Sequence, residues 1–276
     1  MADQWSAAGE TDPHGLASKL DTSMPHSARR YNYWLGGKDN FAADRVSGDA
    51  VAGMFPSIRT AALENRRFLR RAVTFLAGEM GIRQFLDIGT GLPTADNTHE
   101  VAQMVAPQSK VVYVDNDPLV MVHARALLTS SPGGVTDYIE ADLRDPDKIL
   151  HEAARTLDFN QPVALMLIAV LHFVADHEDP HGQVRRLVDA LPSGSYLVIS
   201  HVTGEYFTQE MLEAFAKSPA PAYYRDQGQV EQFFAGLDLV SPGVVSTAHW
   251  RAEGEPEPRP KVEEATAYCG IARKAF

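Results

Sequence analysis

From Gln84 to Lys274 the chain alternates short apolar runs with segments whose apolar residues recur every three or four positions. The runs have strand length: Gln84–Ile88, Lys110–Val114, Val135–Glu140, Pro162–Val170 and Ser195–His201. From Val163 to Val170 no polar residue intervenes, the pattern of a strand buried on both faces. Between these runs lies a helix at Thr98–Val105, with Asn97 as cap and Glu100 three residues on. Asp117-Pro118 and Asp145-Pro146 each join a capping acid to a first-turn proline, so each opens another helix. Gln183–Leu191, Thr208–Lys217 and Gln227–Ala235 also carry helical spacing. Leu237–Trp250 and Ala265–Lys274 read as two last strands, joined by the acidic, proline-rich loop Glu253–Pro260. Alternation of this kind predicts an α/β fold, a parallel sheet with helices on both faces and a strand pair at its end.

The chain upstream is different. Residues 1–23 are polar and without period, and read as a flexible arm. Residues 24–83 read as an N-terminal helical cap, and residues 84–276 as the ligand-binding domain, with 24–276 forming one structural unit. In the cap, Ala61–Met80 is a helix with Leu69, Ala72, Val73, Leu76 and Met80 on one face and Gly81 just past its end. Arg66, Arg67, Arg70 and Arg71 lie elsewhere on its surface. Ahead of it, Arg30-Tyr31-Asn32-Tyr33-Trp34-Leu35-Gly36-Gly37-Lys38-Asp39-Asn40-Phe41 crowds together more aromatic and amide groups than solvation requires.

Composition narrows the function. A formal charge of −11 argues against general nucleic-acid binding. Ten Lys/Arg against five Asp/Glu between His26 and Arg83 leave one basic region, read as a solvated helix face in preference to a docking site for an acidic substrate. The single cysteine, Cys269, excludes an internal disulfide framework and a cysteine-based zinc site, and reads as a small buried apolar residue. No apolar run approaches the ~18 residues of a membrane span, and no basic-then-apolar leader is present, so a cytoplasmic location is expected.

The chemistry gathers after successive strands. Phe85-Leu86-Asp87-Ile88-Gly89-Thr90-Gly91-Leu92-Pro93-Thr94 leads from an apolar run through an acid into a glycine turn. Glycines there let the backbone turn sharply and approach a ligand. Thr94 stands where a dinucleotide fingerprint has its third glycine, and no P-loop lysine follows. Asp87 would repel a pyrophosphate but suits a cationic group such as the amino group of S-adenosylmethionine; the alternative is an acid that merely caps the loop. Asp115 closes the second run 24 residues after Gly91, where an acid binds ribose hydroxyls, while Asp117 is occupied as a helix cap. Asp142, after the third run, suits an adenine amino group or a simple turn.

The set Asp87-x-Gly89-x-Gly91, Asp115 and Ala141-Asp142 resembles the motifs of class I S-adenosylmethionine-dependent methyltransferases. With Asn65-Arg66-x-Phe68-Leu69 and the Arg30–Phe41 motif, the chain from about Thr22 onward is similar to a bacterial family of methyltransferase-like proteins without an established substrate. The resemblance implies a Rossmann-like, seven-stranded mixed sheet and S-adenosylmethionine as cofactor, held by Asp87, Gly89, Thr90, Gly91, Asp115, Asn116, Asp142 and Leu143. Pro93, in place of the class's usual third glycine, removes an N–H from this loop.

In-line methyl transfer needs a base only if the acceptor loses a proton. His172, which follows the fourth run, and His201, which ends the fifth, are the candidates, each alternatively a satisfied polar residue at a loop edge. Tyr31, Tyr33, Asn40 and Arg66 are the substrate-side candidates. The Arg29–Phe41 segment is expected to fold over the carboxyl edge as a lid with freedom at Gly36-Gly37, or as a capping helix with a glycine turn. His177 and His181 read as solvent-facing. The Asp176-His177-Glu178-Asp179 run reads as a loop, and no metal is expected. A methyltransferase acting on a small molecule is the leading expectation, followed by a non-catalytic S-adenosylmethionine sensor and an NAD-dependent oxidoreductase.

Overall fold

The computed structural model describes residues 21–120, 122, 130–218 and 221–275; the predicted arm lies outside the described residues except for its last three. Five parallel strands come first in the sheet: β1 (Gln84–Ile88), β2 (Lys110–Asp115), β3 (Val135–Glu140), β4 (Ala164–Ile168) and β5 (Tyr196–Val202). They are followed by β6 (Asp238–Leu239), β7 (Val245–Ser246) and β8 (Ala267–Arg273). The eight strands are ordered β3-β2-β1-β4-β5-β8-β6, with β7 also paired to β8, which runs antiparallel to β5, β6 and β7. A single strand over Leu237–Trp250 was expected. Pro242 has no N–H for a ladder and Gly243 turns at φ +88°, so that strand splits into β6 and β7 and the predicted seven become eight.

Period-two burial sets the two faces of the sheet. Leu86, Val112, Leu165 and Leu197 point to one apolar layer. Phe85, Val111, Met166 and Val198 point to the other. The first layer is closed by α5 (Pro146–Ala153) and α6 (Pro180–Asp189). Closing the second is α3 (Ile58–Gly78), whose Phe68, Leu69, Ala72, Val73 and Leu76 lie at helical spacing and at most 3% exposed. Three helices remain near the sheet's carboxyl edge or its flank: α1 (Ser27–Trp34), α2 (Ala42–Met54) and α4 (Thr98–Val105). Later come α7 (Gln209–Ala216), α8 (Gln227–Glu231) and α9 (Val262–Ala265). After Asp117, residues 118–120 begin a helix whose continuation is largely outside the described residues. Among the described residues, no helix is long and apolar enough to cross a membrane.

Three of the five arginines of α3, Arg66, Arg67 and Arg71, are staples and not a solvated face. Arg71 donates from Nε to the Trp250 carbonyl (2.8 Å), from Nη2 to that of Thr247 (2.6 Å) and from Nη1 to Glu255 (2.9 Å). Glu64, buried within the same helix, accepts from Arg67 at 2.7 Å and from Arg259. The acidic, proline-rich loop is thereby bound to α3, and Trp250 is clamped edge-on between Phe68 and Phe75 at 5.6 and 5.7 Å. Arg70 is left on the surface, 63% exposed and 3.8 Å from Asp96, and Arg59 at the helix start is exposed too. Removing one partner of a buried ion pair strands the other charges. Glu64→Ala is therefore expected to destabilise the protein by roughly 3 kcal/mol, read from the midpoint of urea unfolding.

Candidate active site at the carboxyl edge

A cavity of about 550 Å³ opens where β1, β2, β4 and β5 end. Its floor is the turn after β1. Gly89 and Gly91 sit at φ +76° and +67°, conformations that disfavour any side chain. At Gly89 a Cβ would also stand 2.6 Å from the Val170 Cβ. Gly91 N–H donates to the Asp115 carboxylate at 2.8 Å, and Thr90 Oγ1 to the Asp87 carbonyl at 3.0 Å. The other Asp115 oxygen accepts from Asp117 N–H at 2.9 Å. Farther along, Arg66 donates to the Ala95 and Asp96 carbonyls, and Asn97 accepts from Thr94 N–H. The helix α4 begins only at Thr98, so Pro93 sits in the preceding loop and its missing N–H is no loss to the helix.

Asp87, next to last in β1, is 4% exposed and accepts from Thr98 Oγ1 at 2.6 Å. Burial pushes its pKa up to about 6, against the opposing pull of that hydrogen bond and of the Arg66 charge. Burial also raises Asp115, although two backbone N–H groups oppose it. Asp142 is held below its ordinary value, because hydrogen bonds from Arg144 N–H, Asn116 and the Arg144 guanidinium outweigh its partial burial. Asn116 Nδ2 reaches it at 2.8 Å. The eight residues expected at the cofactor, Asp87, Gly89, Thr90, Gly91, Asp115, Asn116, Asp142 and Leu143, all line this one cavity.

Both candidate histidines line it too, in different hydrogen-bonding states. His201 Nδ1 lies 2.7 Å from the Val202 carbonyl, so it carries the proton, and Nε2 accepts from Arg225 at 2.8 Å. Burial, aided by the Arg225 charge, drives its pKa down to about 3. With its lone pair engaged, His201 anchors Arg225, which in turn holds Asp176 and the carbonyls of Leu171 and Val174. His172 is 5% exposed, and its Nδ1 has no hydrogen-bond partner among the described residues. Burial, then neighbouring His201 and the charges of Arg225 and Arg30, pull its pKa well below the usual histidine value.

On the substrate side the structure separates the four candidates. Tyr31 and Arg66 line the cavity, and the Tyr31 hydroxyl donates to the Ala62 carbonyl and accepts from Asn65. Tyr33 and Asn40 do not line it. Tyr33 donates to Asp49 at 2.7 Å and packs on Gly48 of α2, while Asn40 donates to Asn32 and to the Gly37 carbonyl. Asn32 also accepts from Asp39 N–H, and its side chain fills the space a Cβ at Gly37 would need. The glycine pair is thus a turn closed by Asn32, and α1 lies over the cavity with His26, Ser27, Ala28 and Trp34 in the lining. His26 Nδ1 meets Asp117 at 3.0 Å, tying α1 to the turn after β2.

Other lining residues came from segments with no chemical signature. Val51, Phe55, Ile58, Phe207, Phe215 and Tyr224 form an apolar chamber, with Phe207 edge-on to Phe55, Phe215 and Tyr224 at 5.3 Å each. Arg30 and Ser200 complete the polar part of this half. His177 is exposed at the cavity rim, whereas His181, expected to face solvent, stacks on Phe233 at 4.0 Å. In the acidic run, Asp176 pairs with Arg225, Glu178 with Arg144, and Asp179 caps α6. Among the described residues no group of three or more potential ligands could hold a metal.

A parallel sheet that collects its strand-end acids around one such cavity defines a nucleoside-binding α/β protein. Residues 13–275 match the S-adenosyl methyltransferase family, and the chain belongs to it. A DUF574 family protein from Streptomyces avermitilis is 46% identical, with a TM-score of 0.86 over 92% of this chain and 99% of its own. A putative methyltransferase from Thermobifida fusca is 41% identical, with a TM-score of 0.84 over 96% and 99% of the two chains. At 15% identity, an O-methyltransferase family protein from Burkholderia thailandensis shares the fold, with a TM-score of 0.52 over 95% of this chain and 67% of its own. No curated protein matches the chain. The protein is an S-adenosylmethionine-dependent methyltransferase, and S-adenosylmethionine is its methyl donor. Family membership decides against the nicotinamide reading.

Burying Asp87 has a measurable cost. Its carboxyl releases its proton in the unfolded chain near pH 3.8 but in the folded protein only near pH 6, so stability falls across that interval and stays lower above it. Asp87→Asn is expected to lift this penalty. Its unfolding free energy should gain on wild type by roughly 3 kcal/mol between about pH 4 and about pH 7.5, measured by urea titration at both.

Proposed function

We propose that the chain methylates a small, largely aromatic acceptor held in the Phe55–Phe207–Phe215–Tyr224 chamber, with His172 receiving the acceptor's proton. The observation that carries this reading is the division of one cavity into an acid-lined end and an aromatic end, with His172 also in its wall. The acid-lined end fits the donor. Gly89 leaves room where any Cβ would collide with Val170, and three carboxylates stand at the ends of adjacent strands. In this reading Asp87 takes the donor's amino group, Asp115 its ribose hydroxyls, and Asp142 with Asn116 and Leu143 its adenine. S-adenosylmethionine supplies an electrophilic methyl on a sulfonium, whose sulfur keeps the electron pair of the broken bond. The acceptor heteroatom gives its lone pair to that methyl and its proton to a ring nitrogen of His172. The low proton affinity of His172 keeps the ring neutral with its lone pair available, but makes it a weak base, so in this reading it takes the proton only as transfer of the methyl discharges the sulfonium. Tyr31 and Asn65, joined by a hydrogen bond of 2.9 Å, orient the acceptor's polar edge.

The overall charge of −11 supports a small molecule over a nucleic acid. Relatives in Streptomyces avermitilis and Thermobifida fusca support a bacterial setting, and a buried free Cys269 suits a reducing cytoplasm.

Calorimetric titration with S-adenosylhomocysteine tests the donor end. Affinity should fall about tenfold per unit as pH drops below about 6, because a protonated Asp87 offers an ammonium group no charge. It should be lost in Asp115→Ala; retained affinity in that variant would remove Asp115 from the site. The transfer step is tested by incubating the enzyme with labelled donor and a panel of aromatic hydroxy and amino compounds. On any acceptor found, His172→Asn should lower kcat by about a hundredfold or more with donor affinity unchanged. Full activity in that variant would exclude His172 as base.

A further inference from the structure

The ladder between β4 and β5 stops a rung early. In this parallel pair the even-numbered residues of β5 turn their backbone groups towards β4: Tyr196 N–H donates to the Val163 carbonyl at 3.0 Å, and the Ser200 carbonyl accepts from Ala169 N–H at 3.1 Å. The next rung would join Val202 N–H to the Ala169 carbonyl. It does not form, and neither group has a hydrogen-bond partner among the described residues. Val202 has no rung on its other side, because the odd-numbered positions bond to the β8 side, as Thr203 N–H does to the Thr266 carbonyl at 2.9 Å. The cause is local. Ala169 sits at φ +54°, a conformation that costs strain in a residue with a Cβ. The chain leaves the ladder there, and Val170 packs over Gly89. Ala169 N–H is shared with Ser200 Oγ at 3.0 Å; Ser200 donates on to Asn65, and Asn65 to Tyr31. Ala169, Ser200, Val202, Asn65 and His172 all line the cavity, so the open rung adjoins the polar part of its acceptor half.

Backbone N–H and C=O groups inside a folded protein nearly always find partners. A rung held open by a strained residue leaves one donor and one acceptor for a ligand to use. Their complement is an edge that both accepts and donates. A hydroxyl does so through one oxygen, and a lactam through its adjacent C=O and N–H. An ether or an N-methylated lactam can accept from Val202 but has nothing to give Ala169. We infer that the acceptor's polar edge is bound by the main chain, with Val202 N–H donating to it and the Ala169 carbonyl accepting from it, so that the acceptor is an aromatic compound with a hydroxyl or lactam edge. That edge positions the ring in the Phe55–Phe207–Phe215–Tyr224 chamber, while the proton lost on transfer still goes to His172. This inference rests on the reading of the cavity as a methyltransferase acceptor site.

The test uses the full chain saturated with S-adenosylhomocysteine, titrated calorimetrically with 2-naphthol against 2-methoxynaphthalene and with 2-quinolinone against its N-methyl derivative. In at least one pair the unmethylated probe should bind about tenfold more tightly; which pair shows the difference distinguishes hydroxyl from lactam. In amide nitrogen–proton spectra of the labelled protein, that probe should move the Val202 amide proton downfield, and its methylated partner should move it less. Val202→Pro, which removes the N–H, should shrink the preference while S-adenosylhomocysteine affinity, which also reports folding, stays unchanged. The wild-type spectra stand even if Val202→Pro does not fold. Methylated probes that bind as well as their parents, a bound probe that leaves the Val202 amide in place, or a full preference in Val202→Pro would each overturn the inference alone. If S-adenosylhomocysteine binds and no probe does, the aromatic acceptor falls with it; if S-adenosylhomocysteine itself fails to bind, so does the methyltransferase site.

Discussion

A carboxylate at the end of a central strand is the constraint around which the site is arranged. Asp87 is carried by β1, flanked on both sides by parallel neighbours, and is buried with one hydroxyl donor. An acid in such a place is stable only if the surrounding chain supplies hydrogen bonds or charge. Thr98 supplies the first, which fixes where α4 must begin. Arg66 supplies the second, and by binding the Ala95 and Asp96 carbonyls it also secures the loop between the glycine turn and α4. The remaining mismatch is left in Asp87 as a raised pKa. An apolar residue there would fold more easily and could not meet a cation.

The same economy explains why the N-terminal segment is packed so densely. α1 reaches the cavity with Arg30 and Tyr31 and grips α2 with Tyr33 and Trp34, whose indole donates to the Gly48 carbonyl. Asn32 closes the glycine turn that follows, and Asp44 returns from α2 to cap the backbone at His26 and Phe41. Neighbouring residues of one short motif therefore line the cavity and hold the scaffold. A motif with so many amide and aromatic groups looks uniformly functional in sequence, although half of it is structural.

The parallel strands were legible because their information is local: continuous apolar runs, capping acids and prolines settle element type without knowledge of neighbours. The last strand pair was not, since Pro242 and Gly243 could as well end a strand as interrupt one. The glycine turn and three strand-end acids were legible for the same reason as the strands, because topology alone brings parallel carboxyl ends together. Side-chain partners are a different matter. Arg67 and Arg71 look like solvated helix residues until Glu255, more than 180 positions away, is known to meet one of them at 2.9 Å. The aromatic chamber was equally invisible. Phe55, Phe207, Phe215 and Tyr224 are ordinary apolar residues whose common function arises only when α7 and the chain before α8 fold back over α2 and α3. Tyr33 lies outside the lining because spacing along α1 does not tell which side faces the cavity and which faces α2, and Asn40 because the loop after α1 turns its amide back onto Asn32 and Gly37.

Two histidines in edge contact, with ring centroids 5.6 Å apart, show how hydrogen bonding decides chemistry after sequence has supplied the residue. His172 follows β4 and His201 lies next to last within β5; both are buried, and both are kept neutral. His201 spends its proton on the Val202 carbonyl and its lone pair on Arg225. That arrangement secures a guanidinium whose charge would otherwise be costly at 3% exposure. In His172, Nδ1 is left without a partner among the described residues. Arg225 thus has two effects on the pair: it occupies His201 directly and, by its charge, discourages protonation of His172. A protonated His172 would add a cation to a wall that already holds Arg30, opposite a cationic donor. Neutrality of that ring is what the proposed role of His172, a proton acceptor beside a sulfonium, requires.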